Sequence, residues 1–309
     1  MATTPRFGRL FTAMVTPFTE DGSLDIPRIG ELAVRLIAQG NEGLIVNGTT
    51  GESPTISRPE RIELFSAVID AVDAKVPLVA NVGDNCTADS VAFAKKVTAL
   101  AGGRINAVMA VAPYYNKPPQ EGLYQHFRAI AEAVDVPVVV YNIPGRCVIN
   151  VDAETIIRLA EDVPNIRFLK QANGDLDQLD RIVAGTPDDF EVFSGDDAFT
   201  LTLLEHGGTG LIATTGNVMA GVLRAMIEAY VAGDIELAKR YDSALRPLED
   251  ELFITANPIM VKKAMALAGF PVGGVRLPLV NATPEQSAHL QIVMDETVRR
   301  LSELPETEF

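Results

Sequence analysis

The chain has 309 residues, 47% of them hydrophobic, enough for a large core built as one α/β barrel or as two ordinary domains. Its 41 acidic residues outnumber 26 basic ones, for a formal net charge of −15, which disfavours nucleic-acid or anionic-membrane partners because both need a basic face. The two cysteines, Cys86 and Cys147, lie far apart, so neither a disulfide framework nor a metal-ligand set is expected. Residues 1–9 carry no secretory pattern and no apolar run is long enough to span a bilayer, so the expectation is a cytoplasmic protein.

Strand-like apolar runs fall at residues 10–15, 43–46, 78–81, 107–111, 138–141, 166–170, 191–194 and 210–213. Between and after them lie helical patterns over 26–39, 59–71, 87–100, 120–134, 152–161, 175–183, 198–205 and 218–232. Helix starts are marked by Ser57-Arg58-Pro59-Glu60 and Asn150-Val151-Asp152. Strands alternating with helices imply parallel pairing through βαβ crossovers. Eight such units predict a TIM (β/α)8 barrel. The rival doubly wound sheet lacks its phosphate-loop fingerprint, since Thr16-Pro17-Phe18 follows the first strand. Beyond residue 232 the pattern is purely helical, at 235–246, 258–268 and 284–304. The expected organisation is a barrel over 1–232 and a C-terminal helical extension over 233–309 packed on it.

In such a barrel the chemistry lies at the C-terminal ends of the strands. The sixth strand ends in Phe168-Leu169-Lys170-Gln171-Ala172-Asn173-Gly174. A lysine at the mouth of a buried strand is disfavoured in its charged form, and an amine with a lowered pKa attacks carbonyls. A solvated lysine opening a loop is the plainer alternative. The second strand runs into Asn47-Gly48-Thr49-Thr50-Gly51-Glu52-Ser53, whose hydroxyls suit a carboxylate or a proton relay, or else a polar turn with a helix cap. After the fourth strand, Pro113-Tyr114-Tyr115-Asn116-Lys117-Pro118 offers phenols that serve either interface packing or acid–base work.

The fifth strand ends in Tyr141-Asn142-Ile143-Pro144-Gly145-Arg146. Tyr141, beside Lys170, is placed to shuttle protons to a lysine adduct. Arg146 suits a two-pronged grip on a carboxylate, unless it pairs with surface acids. Ser194-Gly195-Asp196-Asp197 closes the seventh strand, and its adjacent aspartates make a phosphate site there unattractive. The three histidines, His126, His206 and His289, sit in separate helical stretches without ligand spacing, so no catalytic metal is expected. No nucleophile-elbow motif supports a serine triad. An amine, phenols, a hydroxyl pair and one arginine suit imine chemistry on a small keto acid.

These motifs, in this order, resemble the dihydrodipicolinate synthase and N-acetylneuraminate lyase superfamily of pyruvate-dependent class I aldolases. The resemblance runs from about Gly8 to Leu301 and includes Asn257-Pro258-Ile259 with Val261-Lys262 in the helical tail. It implies Lys170 as the Schiff-base lysine, with no metal or organic cofactor, only a covalent imine with pyruvate. It implies Tyr141 as proton shuttle, and Thr50 and Thr49 joined with Tyr115 in a relay, the tyrosine reaching across a tight dimer interface. Thr49 and Thr50 would also bind substrate, Arg146 would hold the semialdehyde carboxylate, and the backbone around Gly195 and Ile212 would line the lysine.

Arg146 and the Thr-Thr pair favour the synthase branch, which condenses pyruvate with aspartate semialdehyde in lysine and diaminopimelate biosynthesis and assembles as a homotetramer of two dimers. The chain departs from that pattern at Gln171, Asn173, Ala213, Cys147 and Val148, all beside the site. Arg58 stands where lysine-sensitive members often have histidine, so weak or absent feedback by lysine is expected. Two alternatives stay open: an aldolase of the same fold acting on keto-sugar acids, with a longer polar pocket, and a non-catalytic keto-acid binder with a structural lysine.

Overall fold

The computed structural model describes residues 5–100 and 102–305. All eight expected strands form: β1 (Leu10–Ala13), β2 (Gly43–Val46), β3 (Leu78–Asn81), β4 (Ala107–Val111), β5 (Val138–Asn142), β6 (Ile166–Gln171), β7 (Glu191–Ser194) and β8 (Gly210–Ala213). They close in chain order into a barrel of parallel strands. The strands are apolar on both faces because both are covered, and β1, β2, β3, β5 and β8 are buried at every position.

The helices are α1 (Ile26–Ala38), α2 (Arg58–Val72), α3 (Thr87–Leu100), α4 (Gln120–Ala131), α5 (Pro144–Cys147), α6 (Ala153–Asp162), α7 (Leu176–Gly185), α8 (Thr200–Glu205), α9 (Gly216–Val231), α10 (Ile235–Leu252), α11 (Ile259–Leu267) and α12 (Pro284–Leu301). Helix α2 starts on a reciprocal cap: Ser57 accepts from the Glu60 amide and Glu60 accepts from the Ser57 amide. At α6 the cap position is Asp152, which makes no side-chain capping bond, and the Asn150 side chain bonds Gln178 instead.

Two boundaries differ instructively from the sequence expectation. Helix α10 continues through Pro247, where an end at residue 246 was expected. An internal proline costs about 3 kcal/mol. Leu248 and Leu252, both beyond it, are fully buried, and each contributes about 1.5–3 kcal/mol. Burial therefore outweighs the lost backbone bond. Second, Pro144–Cys147 forms a single helical turn outside the helical stretches read from the sequence, and it carries Arg146. Proline at its first position has the fixed φ that a helix start needs.

The chain forms two compact units, Leu10–Val76 with the described part of Ala213–Phe309, and Pro5–Arg9 with Pro77–Ile212. In the first, α10 packs on α9 and α12. In the second, β4 to β7 are joined by parallel ladders, with a register shift in β5–β6 between Val138 and Val139. No described helix is long and apolar enough to cross a membrane.

Candidate active site

Within Pro77–Ile212 the ladder between β5 and β6 sets Tyr141 opposite Lys170 and Asn142 opposite Gln171. Register partners on neighbouring strands put their side chains on the same face. Lys170 and Tyr141 are accordingly together: the Lys170 Nζ lies 4.4 Å from the centre of the Tyr141 ring. Both are buried, at 5% and 4% exposure. Lys170 makes no hydrogen bond or ion pair among the described residues. Burial pushes its ammonium down to about 8; the Asp197 carboxylate works against that shift and the Arg146 guanidinium adds to it. An amine with that pKa keeps an appreciable fraction of free base near neutrality.

Gly195 is there for space. A Cβ on it would fall 2.9 Å from Lys170 Cε and 2.8 Å from Ala172 Cβ. Its amide donates to the Gln171 carbonyl at 2.8 Å, which ties the loop after β7 to the end of β6. Ile212 is buried on β8, whose Leu211 pairs with Ser194. Arg146 is exposed on α5. Cys147 beside it is buried, and burial raises its thiol to about 11, so it stays protonated and is no rival nucleophile.

Tyr115 stands apart from these groups. It is 88% exposed and sits at φ 73°, with the Asn116 amide donating to the Tyr114 carbonyl at 2.9 Å across it. That is a γ-turn with a positive central φ, a rare and strained form that holds the phenol outward. Tyr114 differs: its hydroxyl reaches the Asp84 carboxylate at 3.4 Å.

In the other unit, the loop after β2 carries Thr49 and Thr50. It is closed by bonds from the Glu52 amide to the Thr49 carbonyl (3.0 Å) and from the Ser53 amide to the Gly48 carbonyl (3.2 Å). Thr16 Oγ1 donates to the Gly51 carbonyl at 2.7 Å. Thr50 is buried, and its Oγ1 accepts from Asn257 Nδ2 at 2.8 Å. With a lone pair taken by that donor, the Thr50 hydroxyl is biased to donate. Its Oγ1 lies 3.4 Å from that of Thr214. Thr49 is half-buried.

The profile of the dihydrodipicolinate synthetase family matches residues 6–297. The chain belongs to the dihydrodipicolinate synthetase family. Among curated relatives, a 4-hydroxy-tetrahydrodipicolinate synthase from Symbiobacterium thermophilum is 50% identical over 94% of this chain and 98% of its own length. Among solved structures, a dihydrodipicolinate synthase from Cyanidioschyzon merolae with lysine bound superposes with a TM-score of 0.92 at 43% identity, covering 96% of this chain and 99% of the other. A dihydrodipicolinate synthase variant described as monomeric matches with a TM-score of 0.91 at 41% identity, over 94% and 97% of the two chains.

Three features of this family member escaped the sequence reading. Asn257, 207 residues from Thr50, was noted only as part of a tail motif. Asp197 is 1% exposed and acts on Lys170, whereas its place in the sequence speaks only against a phosphate site. Glu52, at φ 56°, forms a buried ion pair with Lys262 at 2.6 Å, and its second oxygen accepts from the Arg276 amide at 2.9 Å. Local periodicity in α11 gave no sign of that pairing, because Glu52 lies in the loop after β2. The one available cue was a lysine in the otherwise apolar run Ile259-Met260-Val261-Lys262.

Proposed function

We propose that the protein condenses pyruvate with L-aspartate 4-semialdehyde to 4-hydroxy-tetrahydrodipicolinate through a Schiff base on Lys170. The observation that carries this is Lys170 itself: a buried amine at the end of β6, held near pKa 8 with no ion-pair partner, against the Tyr141 ring. Membership of the family and 50% identity to a synthase of that name support the choice of substrates.

The free amine adds to the C2 carbonyl of pyruvate, and the carbinolamine loses water to leave a protonated imine. The imine withdraws electrons, so a methyl proton leaves C3 and an enamine forms. The enamine carbon attacks the aldehyde carbon, and the resulting alkoxide takes up a proton. The amine of the semialdehyde then attacks C2, closes the ring and expels Lys170.

In this reading Tyr141 moves protons at the adduct, and Thr50, Thr49 and Tyr115 relay them to solvent. The outward Tyr115 suits a role in a neighbouring subunit's site. Thr49 and Thr50 also donate to the pyruvate carboxylate, Arg146 grips the carboxylate of the semialdehyde, and Gly195 and Ile212 line the lysine. The reaction balances with no metal or organic cofactor. A cytoplasmic homotetramer built from two dimers, with the barrel over 1–232 and the helical tail on it, completes the proposal. Arg58 near the start of α2 would repel a cationic effector, so lysine inhibition is expected to be weak; a submillimolar inhibition constant overturns that part.

The test is turnover of pyruvate with the semialdehyde, coupled to a downstream reductase, with borohydride trapping on the same sample. Turnover plus a trapped adduct on Lys170 is expected. An adduct without turnover moves the assignment to another acceptor aldehyde, and no adduct ends the imine reading. Arg146→Ala should impair use of the semialdehyde by roughly 100-fold, the loss of a charge-assisted grip, while leaving adduct formation nearly intact. Equal losses in both would remove Arg146 from its role.

A further inference from the structure

Behind Lys170 and Tyr141 lies a second layer that the chemistry above does not use. The next residues along the two strands, Gln171 and Asn142, are register partners and face the opposite way. They meet Asn150, Asn173 and Gln178 in a network of five side-chain amides. Asn142 Nδ2 donates to Asn150 Oδ1 (2.8 Å) and Gln171 Oε1 (3.1 Å). Gln171 Nε2 donates to Asn173 Oδ1 at 2.8 Å. Asn173 Nδ2 donates to Gln178 Oε1 (2.9 Å) and Asn150 Oδ1 (3.2 Å). Asn150 Nδ2 donates to Gln178 Oε1 at 3.1 Å.

One backbone residue fixes the direction of the whole set. The Val151 amide donates to Asn142 Oδ1 at 3.0 Å, and the Val151 carbonyl accepts from Gln178 Nε2 at 2.7 Å. A backbone amide cannot accept and a carbonyl cannot donate, so neither end can flip. Asn142 must therefore present its NH2 to Gln171, and Gln171 must both accept there and donate to Asn173. Asn173 cannot turn over either, because its NH2 serves two acceptors. Asn142, Gln171 and Gln178 are 0%, 1% and 5% exposed, so water is a poor substitute for any lost bond.

We propose that Gln171 and Asn173 are positioning residues for the imine step, locking the ends of β5 and β6 so that Lys170 and Tyr141 hold their mutual geometry. This rests on the reading of Lys170 as the Schiff-base lysine. The path is short and mechanical. The Gln171 carbonyl accepts from the Gly195 amide and the Asn142 carbonyl from the Ala172 amide, at 2.8 and 2.9 Å. Gly195 packs on the Lys170 side chain, so a displaced β6 end moves the wall against the amine. The charged groups acting on Lys170 are Asp197 and Arg146, and the Tyr141 ring lies over it. A network of neutral amides adds no charge to that balance.

Gln171→Glu distinguishes this from a merely structural role. A carboxylate accepts from Asn142 but has nothing to give Asn173, so two acceptors face each other, and a negative charge arrives beside Lys170. The pH dependence of pyruvate adduct formation, read by borohydride trapping and mass spectrometry, is the measurement. Gln171→Glu should slow the step by on the order of tenfold or more, as misplaced reacting groups do, and move its acid limb to higher pH. Adding Asn173→Ser should restore part of the rate, since a hydroxyl can donate to the carboxylate. Gln171→Met, neutral and similar in size, should slow the step with the limb unmoved, and it carries the test if the charged variant fails to fold. Wild-type rate and limb in both single variants, or a lowered melting temperature with unchanged rate, overturn the proposal. A wild-type protein that traps no pyruvate sinks the Schiff-base reading itself and this proposal with it.

Discussion

Two lysines of this protein are buried and share a lowered pKa, yet they are built for different ends. Lys170 at the end of β6 and Lys262 in α11 are 5% and 3% exposed, and burial brings each to about 8. Lys262 Nζ lies 2.6 Å from Glu52 Oε1, donates to the Gly274 carbonyl at 2.7 Å, and sits 4.2 Å from the centre of the Phe18 ring. Its hydrogens are committed, and its charge is neutralised in place. Lys170 has a ring beside it and no partner for its nitrogen among the described residues. A depressed pKa therefore does not mark a nucleophile. The mark is a depressed pKa with the nitrogen left uncommitted, and only Lys170 of the two has it.

Removing each lysine in turn separates the nucleophile from the structural residue. Lys170→Ala should remove the trapped pyruvate adduct and lower turnover by roughly four orders of magnitude or more, as loss of a covalent nucleophile does. Lys262→Met should still form the adduct on Lys170. If the folded Lys262→Met protein traps no pyruvate while Lys170→Ala does, the assignment of the two lysines is reversed.

How far this contrast was visible in the sequence follows from the range of the interactions. The alternation of strands and helices is local periodicity, and eight repeats of it are countable in the sequence. Lys170 and Tyr141 were legible for the same reason: each is a polar residue ending an apolar run, and consecutive strands of such a barrel are neighbours. Lys262 was only a motif match, because its partner Glu52 lies in the loop after β2, far away along the chain. Asn257 beside Thr50 was hidden likewise. Gln171 and Asn173 were read as departures beside the site, since nothing in their spacing says that Asn150 and Gln178 come back to meet them.

Stability sharpens the same contrast at a smaller scale. Removing one partner of a buried ion pair leaves the other charge stranded, at about 3–5 kcal/mol. Glu52 keeps one bond after Lys262→Met, the Arg276 amide on Oε2, so a loss of about 3 kcal/mol is expected in denaturant unfolding. Removing both charges, as Glu52→Gln with Lys262→Met, should recover most of it, because the stranded charge rather than the lost attraction sets the cost. Lys170→Met should be neutral or stabilising, having no ion pair to break and a desolvated amine to lose. A destabilisation of Lys170→Met as large as that of Lys262→Met would mean that Lys170 is a structural lysine after all.

The smallest effect concerns the one carboxylate that acts on Lys170. Asp197, 1% exposed, favours the protonated amine and so opposes the downward push of burial. Imine formation needs the free base, so its rate should rise with pH and level off above about 8 in the wild type. Asp197→Asn keeps the shape and removes the charge. The ammonium then loses its stabilising neighbour, its pKa falls further, and the acid limb of adduct formation should move to lower pH, by an amount on the order of one unit. The sign is the discriminating part. A limb that moves to higher pH in Asp197→Asn would mean that the carboxylate does not act on Lys170 as a charge, and the lowered pKa would then belong to burial and Arg146 alone.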